Sequence, residues 1–201
     1  MYSWIISASR KAAASVAPPT SQTRVRLRPS SSSMSCCGYI ATPDGGVDWL
    51  IPFQNEDEDY GYASFYEAVD GLVFGRRTYE QIVEFGTWPY LEKPSWVLSS
   101  RSIEIHHPEV TLTAMNPQQL MDELEGRSLA RVWLVGGATL AASFREADMI
   151  HEYIFTILPV FLGDGIKLFL PGKASHRLKH TRTQEFQSGV VQLHYRRADQ
   201  R

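Results

Sequence analysis

The sequence predicts an α/β fold with a mostly parallel β-sheet, and two observations support that prediction. Three short apolar runs, too brief for helices, end at glycine or serine; they are 72–74, 96–98 and 132–135. Runs without polar alternation are typical of strands buried on both faces of a parallel sheet. Near the C-terminus, 176–186 and the alternating segment 190–196 are joined through Ser188-Gly189, which predicts an antiparallel hairpin.

The composition suits one folded domain with a hydrophobic core. The chain has 201 residues, 43% of them hydrophobic, and no apolar run approaches the roughly 20 residues that a membrane-spanning helix needs. Residues 1–33 carry five basic residues and no acid, so the remaining 15 basic and 22 acidic residues give the body a charge of −7. Because phosphate backbones require a basic surface, we expect a small-molecule substrate and neither nucleic acid nor membrane as a partner. A homodimer is the expected assembly.

The cysteines and histidines favour a reducing compartment and no metal site. Cys36 and Cys37 are adjacent in sequence, where the geometry of an ordinary disulfide is hard to reach. The six histidines are scattered, and His151-Glu152 lacks the second histidine of a zinc-protease motif. The sequence therefore predicts no bound metal.

The first 33 residues have the composition of an organelle transit peptide. They are rich in Ser, Ala, Arg and Pro, lack Asp and Glu, and end in four serines. The alternative is an upstream extension, with Met34 opening the protein. Both interpretations predict that residues 1–33 are removed or disordered and that one domain occupies 34–201. The first places the protein in a plastid or mitochondrion, the second in the cytoplasm.

A strand, two glycines and a helix start form a candidate anion site. Gly136 and Gly137 end the apolar run 132–135, and apolar residues at helical spacing predict a helix over 138–147. The free N–H groups of its first turn and the positive end of its dipole point towards whatever lies above the glycines. Taken alone, the glycine pair is better explained as only a tight turn.

A second apolar run leads into residues that suit phosphate binding. Residues 72–74 precede Gly75, two arginines at 76 and 77, and the hydroxyl of Thr78. Arginine makes planar, bidentate bonds to phosphate and stays charged. The alternative is a solvated pair of arginines with Glu80 as their capping group.

The third apolar run, 96–98, ends in Ser99, Ser100 and Arg101. These hydroxyls and the guanidinium follow a predicted parallel strand, and open α/β sheets bind ligands at the carboxyl ends of their strands. The three runs together therefore predict one ligand-binding edge.

The rest of the body alternates turns, strands and helices. Pro-Asp-Gly-Gly chemistry predicts a turn over 42–46. A helix opens with the acidic run 56–59 and extends to about residue 69, and Asn116 with Pro117 starts another that runs to 125. Further strands are predicted at 110–113, 153–158 and 166–170.

The motif GRRTYE at 75–80 and the stretch 130–169 resemble the dihydrofolate-reductase-like family. The match is closest to the C-terminal reductase domain of the riboflavin-biosynthesis deaminase-reductases and its stand-alone relatives, and it covers about 35–196. The resemblance implies a mixed sheet with helices on both faces, NADPH bound across the strand ends, and hydride transfer to a small substrate. That substrate is a phosphoribosylamino-pyrimidine in the riboflavin-pathway reductases and a pterin in dihydrofolate reductases.

The resemblance also assigns site residues. The implied cofactor contacts are Ile40, Ala41, Gly75, Arg76, Arg77, Thr78, Ser99, Ser100, Arg101, Gly136, Gly137, Ala138, Thr139 and Leu140. Arg76 and Arg101 are expected to hold the ribose 2′-phosphate, and the Gly136–Gly137 peptide to be cis. Asp59 matches the catalytic carboxylate of dihydrofolate reductases, with helix capping as the alternative. Trp49 is either a substrate contact or a core or rim aromatic.

Two departures favour a different class of function. Relatives carry a pattern like S-L-D-G-Y-I-A, and here Cys37 stands at the aspartate position. The apolar first strand expected before Ser35 is replaced by RVRLRPSSSS, so that strand is short or rebuilt from Val25 and Leu27. The alternative is a catalytically silent nucleotide-binding or interaction protein on the same fold.

Overall fold

The computed structural model describes residues 26–29, 31–54, 58–86 and 88–198. Its strands are β1 Arg26–Pro29, β2 Ser31–Ser35, β3 Tyr39–Ala41, β4 Gly71–Gly75, β5 Ser95–Leu98, β6 Val110–Thr113, β7 Arg131–Gly136, β8 Glu152–Leu158, β9 Ile166–Lys167, β10 Leu178–Glu185 and β11 Val191–Arg197. Its α-helices are α1 Tyr62–Glu67, α2 Arg76–Glu84, α3 Pro117–Gly126 and α4 Ala138–Glu146, and a 3-10 helix covers Asp48–Phe53. Within the described part of the chain, no helix is long and apolar enough to cross a membrane.

Two sheets share the segment that contains β1 and β2. The first has the order β1-β7-β4-β5-β6, and all of its strands are parallel. The second has the order β10-β11-β8-β2, in which β2 runs parallel to β8 and the other pairs are antiparallel. The predicted mixed, mostly parallel sheet with a C-terminal antiparallel hairpin is confirmed.

Side chains of the parallel strands alternate between two cores. Val73 of β4 and Leu134 of β7 pack with Leu120 of α3 and Phe144 of α4. Their sequence neighbours, such as Trp133, point to the opposite face and pack in the other core, which holds side chains of α1 and α2. Each central strand is therefore buried on both sides, as a run of apolar residues without alternation predicts. Helices cover both faces, as expected.

The folded body begins earlier than the sequence predicts. β1 pairs with β7 and β2 pairs with β8, so the boundary placed after residue 33 is wrong for 26–29 and 31–33. These residues enter the sheet through backbone hydrogen bonds, which do not depend on apolar side chains. Leu27, proposed as part of a rebuilt first strand, does lie in β1 opposite Val132. Val25 and the rest of 1–25 fall outside the described residues, so the transit-peptide interpretation stays a prediction.

Most predicted elements occur where the sequence places them, with two exceptions. The helix expected from the acidic run 56–59 begins only at Tyr62, because Asp59 precedes it as a capping residue and Gly61 takes a positive φ of 74°. The strand expected over 166–170 is limited to Ile166–Lys167, paired with β3. In contrast, α3 starts as predicted, with Asn116 and Gln119 forming a reciprocal capping box.

Candidate cofactor and substrate site

A cavity of about 1490 Å³ lies along the carboxyl ends of β4, β5 and β7 and continues beneath β8 and the C-terminal hairpin. All of the cofactor residues implied by the resemblance line it: Ile40, Ala41, Gly75, Arg76, Arg77, Thr78, Ser99, Ser100, Arg101, Gly136, Gly137, Ala138, Thr139 and Leu140. Typical small-molecule pockets measure about 300 to 1,000 Å³, so this cavity has room for more than one ligand.

The two glycine-containing strand ends touch in the wall of the cavity. The Gly136–Gly137 peptide is cis, as predicted. A Cβ atom added to Gly75 would lie 3.4 Å from the carbonyl oxygen of Gly136, and one added to Gly137 would lie 3.3 Å from Oγ1 of Thr78. The backbone is thus exposed to the cavity where α4 begins, and a ligand can approach the free N–H groups of its first turn.

Arg76 and Arg101 differ in how their charge is compensated. Nη1 of Arg76 donates to both carboxylate oxygens of Glu80, at 2.8 and 2.7 Å, so the alternative capping by Glu80 is present for this arginine. Arg101 is exposed, and its backbone N–H donates to Oγ of Ser99 at 3.0 Å while that hydroxyl donates to the Arg101 carbonyl at 2.8 Å. The Ser99 hydroxyl therefore orders the turn that carries Arg101 along the cavity wall.

Ile40 and Ala41 reach the cavity from β3, which is supported by the loop that contains β9. Tyr39 and Ala41 pair with Lys167 and Ile166. A Cβ atom at Gly165 would collide with the carbonyl oxygen of Ala41, so glycine permits this close approach. Ile166 lines the same cavity.

Asp59 lines the cavity but acts locally as a helix cap. Its Oδ1 accepts a hydrogen bond from the N–H of Gly61 at 2.8 Å, and its Oδ2 accepts one from the N–H of Ala63 at 3.0 Å. The capping alternative is therefore present in the structure. A catalytic role for this carboxylate stays a prediction.

Trp49 packs beside the cavity and is not part of its described wall. Its side chain contacts the small apolar cluster of Tyr60, Leu158 and Val190, and its indole nitrogen is buried. The structure thus favours the core-aromatic alternative over the substrate contact that the resemblance implies.

The cysteine pair stands outside the lining residues as well. Cys36 and Cys37 are both free thiols, and both are exposed. Sγ of Cys37 lies 3.4 Å from Oγ of Ser35, and this hydrogen bond is the main cause that lowers the pKa of the thiol. Cys37 follows β2 in the turn that leads to β3, where the resembling proteins carry an aspartate.

Two groups of lining residues were missed by sequence reasoning. One is aromatic and comprises Tyr62 and Phe65 of α1, Tyr90, and Trp133 of β7. Burial, reinforced by the neighbouring Tyr66, raises the pKa of Tyr62, and its hydroxyl and the Trp133 indole N–H have no hydrogen-bond partner among the described residues. Both polar atoms are buried within this aromatic wall.

The other missed group comes from the second sheet. It comprises Ile154, Thr156, Arg182, Gln184, Gln192 and His194, which we call the hairpin wall. Burial, followed by the positive charge of Arg182, lowers the pKa of His194. The alternation of polar residues at 182 and 184 and at 192 and 194 was the available signal.

The fold and the site define a class. A parallel sheet extended by an antiparallel hairpin, with a cavity across its strand ends and a glycine pair at a helix start, is the architecture of dihydrofolate-reductase-like reductases. A family model of the RibD C-terminal domain matches residues 87–192. The chain belongs to this family.

Individual relatives agree with that assignment. The chain is 38% identical over 170 residues to the protein YwjB of Bacillus subtilis, covering 83% of this chain and 95% of YwjB. A crystal structure of a protein from Shewanella sp. PV-4, provisionally named for riboflavin biosynthesis, is 28% identical, with a TM-score of 0.78 over 86% of this chain and 98% of that one. Dihydrofolate reductase from Enterococcus faecalis, solved in complex with NADP(H), shares the fold at 16% identity, with a TM-score of 0.63 over 88% of this chain and 99% of that one.

Proposed function

We propose that this protein is an NADPH-dependent reductase of a small pyrimidine- or pterin-like substrate, comparable to the pyrimidine reductases of riboflavin biosynthesis. One observation carries the proposal: the residues that end three separate strands line a single cavity, with Gly75 against Gly136 in its wall. An extended anionic ligand would thus meet the first-turn N–H groups of α4 and the arginines at 76 and 101 in one binding mode.

The chain's own part in such a reaction is binding and orientation. Bound NADPH would supply the hydride, since the nicotinamide carries that chemistry. The first turn of α4, Thr78 and the turn at Ser99 would hold the cofactor. Apolar side chains such as Leu140 and Ala41 would exclude water from the reacting atoms.

The aromatic part of the cavity supports a flat heterocyclic substrate. Tyr62 and Trp133 meet edge to face with ring centroids 6.1 Å apart, and Phe65 packs on Trp133 at 5.1 Å. These aromatic rings suit edge or face contacts with a flat heterocycle. Asp59, on the same side of the cavity, is the group that we propose to favour protonation of the reduced substrate.

A second candidate function, binding of the nucleotide without turnover, is favoured by the state of Asp59. Both of its oxygens already accept backbone N–H bonds, and Cys37 replaces the aspartate of the resembling proteins. The two functions separate when purified protein is incubated with NADPH and candidate pyrimidines and pterins. Turnover followed at the NADPH absorbance supports the reductase, saturable NADPH binding without turnover supports the second candidate, and absence of binding contradicts both.

A further inference from the structure

We propose that the hairpin wall is a separate subsite that binds an anionic group of the substrate, a carboxylate or a phosphate, away from the glycine turn. The identification of that ligand as the substrate rests on the proposed function. The subsite itself is argued from the arrangement of Arg182, Gln184, Gln192 and His194 in the cavity.

The sheet order divides the cavity into two arms. β4 and β5 lie on one side of β7, and they carry Gly75 and the turn with Arg101. β8, β11 and β10 lie on the other side, beyond β1 and β2. A cofactor held by the first arm leaves the second arm free for another ligand.

Strand register places the hairpin wall on one face. Arg182 pairs with His194 and His194 with Ile154, which forms one row across the sheet. A neighbouring row contains Gln184, Gln192 and Thr156. Because directly paired residues in a sheet point to the same side, all six side chains face the same cavity.

The strand order gives the separation between the wall and the glycine turn. β1 pairs with β7, and β2, which follows β1 in the chain, pairs with β8. Arg182 is then four strands from Gly136, or about 19 Å at the usual strand spacing of about 4.8 Å. A group bound at Arg182 cannot be the same group that touches the first turn of α4.

The chemistry of the wall favours an anion. Four arginines, at 76, 127, 145 and 197, pair with a carboxylate, whereas in the described part of the chain those at 77, 101, 131, 177 and 196 do not. Arg182 has no such partner in the described part of the chain, and its guanidinium donates only to Oε1 of Gln184. That bond uses one of the five guanidinium N–H groups and leaves the others for an incoming anion.

The base of the wall is held in place. Nε2 of Gln192 donates to the carbonyl oxygen of Tyr60 at 2.9 Å and to Oγ1 of Thr156 at 3.2 Å, and the Gln192 residue is 6% exposed. Burial and the charge of Arg182 lower the pKa of the partly buried His194; the lowered pKa favours the neutral imidazole and leaves Arg182 as the charged group of this wall. A positioned guanidinium beside rigid neutral groups suits a bidentate contact with one anionic group.

The test is a calorimetric titration of the full chain with small probes after saturation with NADP⁺, which fills the cofactor arm. The probes are ribose 5-phosphate, glutarate and, as a neutral control, ribose. Arg182→Gln removes the charge, and Arg196→Gln is the matched control, because Arg196 follows His194 on the same face but lies outside the cavity. We expect one of the two anions, ribose 5-phosphate or glutarate, to bind and neutral ribose not to bind. Arg182→Gln should weaken binding of that anion about tenfold or more, whereas Arg196→Gln should leave it unchanged.

The two anions distinguish a phosphate from a carboxylate group on the ligand. Absence of binding of both anions at millimolar concentrations, or equal losses in the two variants, would overturn the subsite. If NADP⁺ itself does not bind, the proposed function fails. In that case the same titration is made on nucleotide-free protein. A loss of anion binding that is confined to Arg182→Gln still supports the subsite, and a loss that also occurs in Arg196→Gln overturns it.

Discussion

The side chain of Gln192 in β11 donates a hydrogen bond from Nε2 to the carbonyl oxygen of Tyr60, 2.9 Å away and 132 residues earlier in the chain. This bond joins the C-terminal hairpin to the turn that precedes α1, and so connects two walls of the same cavity. Because the amide is almost completely buried, its loss would leave polar atoms without partners.

We therefore expect Gln192→Leu to lower the free energy of unfolding by about 1 to 3 kcal/mol, since leucine keeps the volume but removes the buried hydrogen bonds to the Tyr60 carbonyl and the Thr156 hydroxyl. Urea denaturation measures the change. Gln187→Leu, at an exposed position in the same hairpin, should stay within about 0.5 kcal/mol of the wild type. Equal effects of the two substitutions would show that the Gln192 bond contributes nothing specific.

The preference for NADPH over NADH should depend on Arg101. Its guanidinium has no ion-pair partner among the described residues, whereas Arg76 is already paired with Glu80. Arg101→Ala should weaken NADPH about tenfold or more and leave NADH unchanged, because only NADPH carries the 2′-phosphate. Arg76→Ala should produce a smaller loss.

Dissociation constants for both nucleotides check this expectation. Arg127→Ala is the control, since it removes an arginine paired with a glutamate in α3, outside the cavity. Equal affinity of the wild type for the two nucleotides would remove both arginines from the cofactor assignment.

Asp59→Asn separates catalysis from capping. Asparagine keeps one of the two acceptor oxygens and so one of the two backbone bonds; the unfolding free energy should fall by about 1 kcal/mol, and the NADPH affinity should hardly change. If the carboxylate assists protonation of the substrate, kcat should fall about a hundredfold, because general acid–base groups contribute about that much or more. A variant that keeps full turnover would leave Asp59 as a capping residue only. Melting temperature and steady-state kinetics on the same preparation provide the two readouts.

Glu146 should make stability depend on pH in the acidic range. Its carboxylate accepts the backbone N–H groups of Lys173 and Ala174, and these bonds, that of Ala174 first, lower its pKa below the ordinary value of 4.5. The folded state therefore favours the charged form. The stabilisation is complete above pH 4.5 and is lost as the pH falls through the lowered pKa.

Urea midpoints measured from about pH 6 to about pH 3 test this dependence. Glu146→Gln should lose stability near neutral pH and show a flatter decline on acidification. Glu125→Gln, at an exposed position of α3, should decline in parallel with the wild type. Arg145, which donates to Glu146, also donates to the carbonyl oxygen of Leu170, a residue that lines the cavity. Loss of the Glu146 contacts should therefore weaken ligand binding too.

The cofactor side of the site could be predicted from sequence because its signals are local. Gly75, Ser99 and Gly136 each follow an apolar run directly, and parallel strands bring their carboxyl ends to one edge whatever their order. The contact between Gly75 and Gly136 could not be predicted in this way, because it depends on β4 and β7 being neighbours in the sheet.

Two errors have a common physical origin in backbone interactions. Residues 31–33 are serines without apolar character, yet they form a strand because β8 offers a parallel edge for their N–H and C=O groups. Asp59 ends an acidic run that is typical of a helix start. Its side chain instead accepts hydrogen bonds from the backbone N–H groups of Gly61 and Ala63, and the residue itself lies outside the helix.

By itself, the sequence determined the alternation of buried strands and helices, the glycine turns, and the cap at Asn116, because each depends on residues close together in the chain. Only the tertiary structure decided that Arg182, Gln192 and Thr156 share a cavity with Gly136. The alternation of polar residues along the hairpin does not say what these side chains face, and the pairing of β10 with β11 and of β11 with β8 sets which of them face inward. A shift of one residue in that pairing would turn the wall away from the cavity, so its chemistry depends on long-range register.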